Sequence, residues 1–425
     1  MYGESLAKST QDGLGVYYLM VALLNLGFTA YYFRSAKKPV DAIVWTAVAG
    51  LFLIHAFANF LHLGWTLSEG IRDWVDWAVK AESFFSAAAL GFIALLAFRR
   101  YLTLPAVAWA VTNVALLCAG WAMTNANFRE VVTKPDNVPI VLLVFSVGFF
   151  TWLALRRGVI NDDRMAKGEP PLEKLEDDKV LVWPDLVYTE LICMIICTFL
   201  LIVWAIVLKA PLEPPATTAK APNPSKAPWY FLGLQEMLVY YDPWLAGVVF
   251  PLMIIGGLVC IPYMDYNQKG NGYFTFVQRK FALSTFMFGF VVLWVVLIVL
   301  GTFLRGPNWN FFGPFEYWDT HKVLELTNVN LSQMFWRALG DDAATIHWFK
   351  RELPGIIVIV AYLALLPPLL AKTVMRPFFI RMGFLRFFTL VTFLQFMAAL
   401  PIKMLLRWTL NLKYIVFISE YFFNI

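Results

Sequence analysis

FALSTFMFGFVVLWVVLIVLGTF, residues 281–303, contains no charged side chain and is apolar on every side of a helix. A helix buried all round is a core element of a large protein or a membrane span. Its length, close to the roughly 20 apolar residues that cross a bilayer, selects the span. Scanning outward from it gives nine further stretches of the same kind, at 14–33, 42–63, 79–98, 104–124, 138–155, 182–208, 243–263, 354–373 and 384–402. The fold class expected is therefore all-α, a polytopic transmembrane helix bundle of about ten spans with short amphipathic surface helices. The composition agrees: 60% of the 425 residues are apolar, 15% are charged and the mean hydropathy is +0.64. A soluble globular domain does not have that balance. The terminal stretch Leu406–Ile425, with Lys403, Arg407 and Lys413 spaced through and before it, reads as an interfacial helix.

Basic clusters assign the orientation. With the N-terminus outside, Arg34/Lys37/Lys38, Arg99/Arg100, Arg156/Arg157/Arg164/Lys167, Lys269/Arg279/Lys280 and Lys372/Arg376/Arg381 all fall on the inner side. The same choice puts two long connections, 209–242 and 304–353, outside. MYGESLAKSTQDG at the start has no basic-then-apolar pattern with a cleavage site, so the first span is expected to stay. The charged, Pro-containing stretch 161–180 reads as a cytoplasmic linker between a five-helix module, 1–160, and a second membrane module. No repeat relates the two. Cys118, Cys193, Cys197 and Cys260 lie in or near apolar spans and read as buried, unpaired thiols.

Four histidines limit the chemistry. A haem b held by two imidazoles needs one from each of two neighbouring helices. Only His55 and His62 fall in a span, seven apart on what reads as one face of the second helix. They are the possible haem contacts, each needing a partner from another chain, or else a packed polar face. His321 and His347 fall in the outer connection 304–353 and read as solvated, the alternative being ligation of a metal or haem from a partner. No CxxCH is present, so covalent haem is not expected, and no metal-ligand cluster is apparent.

The connection 209–242 begins Pro-rich and then runs Ala227-Pro228-Trp229-Tyr230-Phe231-Leu232, with Glu236 following. Proline at a helix start followed by aromatic and aliphatic residues indicates a short amphipathic helix at the membrane surface. Over about residues 180–305 the chain resembles the C-terminal domain of cytochrome b and its free-standing form, subunit IV of the cytochrome bf complex. In that family a long outer loop carries a Pro-Glu-Trp-Tyr motif lining the quinol-oxidation pocket. Val182-Trp183-Pro184-Asp185 resembles the start of the family's fifth helix, and the spans 243–263 and 281–303 its sixth and seventh.

The resemblance implies a domain over 181–375, with 376–425 a transmembrane and interfacial extension. It implies a subunit of a respiratory or photosynthetic cytochrome bc-type complex, active only in complex as part of a quinol:acceptor oxidoreductase. Pro228, Trp229, Tyr230, Phe231 and Leu232 would then bind quinol at a subunit interface. The implied partners are a haem-binding cytochrome b subunit, a Rieske-type iron–sulfur protein and c-type cytochromes. These would form a dimeric complex in the lipid of a bacterial inner or equivalent energy-transducing membrane, with no nucleic acid involved. The family's glutamate falls at Pro228. Glu236, two turns on, is the carboxylate left in this helix to accept a proton, as catalytic residue. Its alternatives are a water-facing side chain or a pair with Lys226. A competing reading is a non-catalytic membrane scaffold for a multihaem or iron–sulfur oxidoreductase. A transporter would need charged residues in mid-span, and the spans have almost none. The aromatic segment 304–320, with Gly306-Pro307 and Gly313-Pro314, reads as a turn-rich cap that shields the pocket or docks a redox partner.

Overall fold

A computed structural model describes residues 6–425 apart from 36, 177, 209–214, 216, 220, 271 and 326. The Pro-rich beginning of the 209–242 connection and the first five residues of the chain thus lie largely outside the described residues. Among the described residues nine helices are long and apolar enough to cross a membrane. Glu69–Ala78 and Ala81–Ala97, a pair bent by 76°, make a tenth where the two are counted as one span. The ten are, in order, Lys8–Arg34, Pro39–Phe60, that bent pair, Pro105–Ala122, Val138–Ala166, Val182–Val207, Leu245–Met264, Phe276–Leu304, Trp348–Lys372 and Arg376–Leu410. The chain is an all-α multi-pass bundle.

The first two spans pack as a hairpin around Leu14, Tyr18, Ala22, Phe52 and Ala56. Gly15 is needed there, since a Cβ at this position would lie 2.6 Å from the Phe60 ring. The largest core joins both halves of the chain. Phe85 and Phe92 of the third span meet Met237, Tyr241, Leu297, Leu300, Leu400 and Met404. The eighth span is half buried by these neighbours, whereas the sixth has no buried residue.

Two seams fasten the N-terminal helices to the rest. On the face opposite the N-terminus, Asn161 donates to Phe274 O (2.9 Å) and the Asp162 carboxylate accepts from Val277 N (3.1 Å) at the start of the eighth span. On the other face, Phe315 N donates to Asp76 Oδ1 (2.8 Å) and Asn127 Nδ2 to Phe315 O (3.0 Å). Gly313 permits this contact, because a Cβ there would run into the Asp76 carboxylate.

Several expectations change. The fifth helix runs through Ala166 instead of stopping at 155, because Asn161 and Asp162 are held by the chain around 274–277. The second helix ends at Phe60, and His62 comes after it with a positive φ of 54°. His55 and His62 therefore do not share a helix face. The chain end is not an interfacial helix. Asn411 adopts a left-handed conformation that terminates the tenth span, and Phe417–Ile418 pairs with Phe423–Asn424. Cys118, Cys193 and Cys197 are exposed and Cys260 partly so, all four being free thiols. They sit on the outer surfaces of spans, where lipid or another chain is the neighbour.

Candidate functional site

Pro228 sets up the site by its own geometry. With φ fixed at −51° and no N–H to satisfy, it starts a tight turn in which Phe231 N donates to Pro228 O (2.8 Å). The turn Trp229–Phe231 leads into the short helix Leu232–Met237. Gln235 ties the approach down from behind. Its Oε1 accepts from Ala227 N (2.8 Å) and its Nε2 donates to Ser225 O (2.9 Å).

The turn splits into an exposed and a buried side. Trp229, Tyr230 and Phe231 are 36%, 46% and 50% exposed, and Trp229 and Tyr230 meet edge to face at 5.6 Å. Leu232 is buried against the eighth span, close enough that a Cβ on Gly301 would lie 3.3 Å from Leu232 O. The short helix is thus seated on the eighth span and presents three aromatic rings outward.

Behind the rings lies an ion pair. Glu236 has no exposed surface. Arg305, just past the end of the eighth span, donates Nε to Oε2 (2.9 Å) and Nη2 to Oε1 (2.7 Å), and Nη1 to Trp309 O (3.2 Å). Burying a carboxylate is tolerated only with such compensation. Arg305 is the residue that the sequence reading missed. A cation at the end of a long apolar span, followed by Gly306-Pro307, was the available signal.

Lys226 does not reach Glu236. Its Nζ donates to Thr302 O (2.7 Å) and lies 4.7 Å from the centre of the Trp318 ring. Burial first, and the Lys134 ammonium second, pull the Lys226 ammonium down to about 7, against the opposing pull of Glu236. The cap closes over the same region through a reciprocal clasp. Asn223 Nδ2 donates to Asn308 Oδ1 (2.9 Å) and Asn308 N donates to Asn223 Oδ1 (2.7 Å). A shallow depression of about 420 Å³ runs between Asn223, Ser225, Gln235, Leu238, Asn308 and Trp309. Trp229 and Tyr230 do not line it.

The histidines lie elsewhere. His55 is buried; its Nε2 accepts from Trp121 Nε1 (3.2 Å), which leaves Nδ1 to donate to Leu51 O (2.8 Å). His62 faces Asp12 at 3.6 Å. His321 N donates to Asp319 Oδ1 (2.8 Å), and His347 caps the ninth span. A bis-histidine haem b needs a free imidazole nitrogen from each of two helices, and His55, hydrogen-bonded through both ring nitrogens, has no histidine partner on a neighbouring helix of this chain. Among the described residues no three His, Cys, Asp or Glu side chains are grouped to hold a metal.

No curated protein and no solved structure matches the chain. A family match covers the segment built above: it begins in the Pro-rich connection, includes the aromatic turn and Glu236, and ends in the cap beyond Arg305. Residues 215–313 match the family described as Cytochrome b(C-terminal)/b6/petD, the helices before them falling outside the match.

Proposed function

We propose that the chain is a membrane subunit of a cytochrome bc-type complex and contributes one wall of the quinol-oxidation pocket on the outer side of an energy-transducing membrane. Pro228, Trp229, Tyr230, Phe231 and Leu232 form that wall at the boundary with a partner subunit. The haem b, the Rieske-type iron–sulfur group and the c-type cytochromes belong to partner chains. The observation that carries the reading is the row of exposed rings at Trp229–Phe231, fixed in place by the buried Glu236–Arg305 pair inside the family-matched segment. Aromatic faces of this size hold a flat ring by packing. Glu236 takes one of the two protons that leave the quinol hydroxyls as the ring gives up two electrons.

The ion pair also favours a second reading. Both Glu236 oxygens already accept from Arg305, so taking a proton means giving up those bonds. Pro228 stands where the family has its glutamate. On this reading Glu236 is a structural clamp, and the chain is a scaffold whose aromatic turn holds a lipid or a partner side chain.

Two substitutions in the assembled complex separate the readings. Trp229→Ala should weaken quinol and outer-site inhibitor binding while the complex still assembles. Glu236→Gln also strands the buried Arg305 charge, so the two readings differ in what falls with it. For a proton acceptor, turnover drops about a hundredfold while inhibitor binding holds. For a clamp, turnover and inhibitor binding fall together. Unchanged turnover with Trp229→Ala would establish the scaffold.

A further inference from the structure

We infer that the arm Glu69–Ala78 lies along the membrane surface on the face that bears the N-terminus, with Ile71, Trp74 and Trp77 seated in phospholipid at the boundary between headgroups and acyl chains. Its neighbour Ala81–Ala97 has 17 residues, about 25 Å at 1.5 Å per residue, and Arg99 and Arg100 follow it at the far end. That helix alone comes close to crossing the roughly 30 Å of hydrocarbon, so the arm is not needed for the crossing. Two residues, Val79 and Lys80, separate the helices, and the axis bends there by 76°. An arm turned nearly at right angles to a span runs along the bilayer. Lys80, the residue before the span, sets its depth at the surface.

The two sides of the arm say what covers each. Phe315 N donates to Asp76 Oδ1 (2.8 Å), so the Asp76 side faces the cap. Glu69, Arg72 and Asp73 lie within about 60° of Asp76 around the axis, at about 100° per residue. Ile71, Trp74 and Trp77 occupy the other side, centred on Trp74, and all three are exposed. The cap follows the end of the eighth span and stands outside the bilayer, so the side turned away from it is turned toward the bilayer.

The chemistry of that side fits lipid. A helix with acidic and basic residues along one side and tryptophan and isoleucine along the other rests in the interface. Among the described residues neither the Trp74 nor the Trp77 indole N–H has an acceptor, and headgroup oxygens supply one. The Lys80 ammonium stands 5.8 Å over the Trp77 ring, at the elbow where phosphates lie. The arm is thus held by the cap on one side and by lipid on the other. This inference does not depend on the quinol reading, nor on which side of the membrane is outside.

The test uses the complete complex in native membranes, with a benzophenone amino acid in place of Trp74 or of Glu69 on the cap side. Illumination should attach phospholipid at position 74 about tenfold more than at 69, read by mass spectrometry of the arm's peptide. Ile71→Asp puts a carboxylate into the boundary and should cut the yield at 74 about tenfold. The inference is overturned by a polypeptide adduct at 74, by equal lipid yields at both positions, by no adduct at 74, or by a yield indifferent to Ile71→Asp. Should the protein labelled at 74 fail to accumulate, a label at Trp77 takes its place with the same outcomes. The results for Trp229 and Glu236 bear on the quinol wall alone.

Discussion

Arg305 grips Glu236 through two nitrogens, 69 residues apart in sequence and both almost wholly buried, and this grip seats the aromatic turn on the eighth span. Removing one partner leaves an uncompensated buried charge. Arg305→Ala should therefore destabilise the chain by about 3–5 kcal/mol, whereas Glu236→Leu with Arg305→Met should cost far less. Thermal midpoints of the purified complex read both. An unchanged midpoint for Arg305→Ala would mean that the pair does not fasten the turn.

The cap depends on a single acceptor in the N-terminal half. Asp76→Ala strands Phe315 N, a loss of about 1–3 kcal/mol, and Asp76→Asn keeps the acceptor oxygen. Hydrogen exchange over 312–316 should speed up about tenfold or more in the alanine variant and little in the asparagine variant. Equal exchange in all three proteins would detach the cap from this contact.

Lys226 should give the site a pH response. Its folded value is lowered to about 7 from an ordinary 10.5, so between those limits the unfolded chain holds a proton that the folded chain has released. Stability rises with pH wherever the unfolded state binds more protons. The thermal midpoint of the native protein should thus gain on that of Lys226→Met as pH climbs from 7 to 9. A gap that stays flat or narrows would show that the ammonium is not desolvated.

The orientation has a direct test. A cysteine placed at Thr218 should react with an impermeant thiol reagent from the outside, and one placed at Lys269 only after the inner side is opened. The reverse pattern would turn the molecule over and remove the aromatic turn from the proton-releasing side.

The spans were legible because hydropathy is local: each of the ten can be read from its own 20 or so residues, and only the ends moved. Those ends were set by distant contacts, such as the one that carries the fifth helix on to Asp162 and Val277. The aromatic turn was legible for the same reason, since Pro228 fixes its own φ at a value suited to a helix start. Its anchor was not. Nothing near Glu236 names Arg305, because the pair is made by the seating of a six-residue helix across the end of the eighth span. His55 shows the opposite failure. Spacing placed it beside His62, yet the ring is occupied by Trp121 and Leu51 and the helix ends first.

The contact between Asp76 and Phe315 also has a history in time. The two residues are 239 positions apart. A ribosome adding about 5–20 residues per second takes roughly 10–50 seconds to pass from one to the other. Through that interval the early helices sit in the bilayer with Asp76 bare, and the latch closes only after the eighth span has been inserted. A chain interrupted before Phe315 therefore carries Asp76, on the face that bears the N-terminus, without its Phe315 N donor.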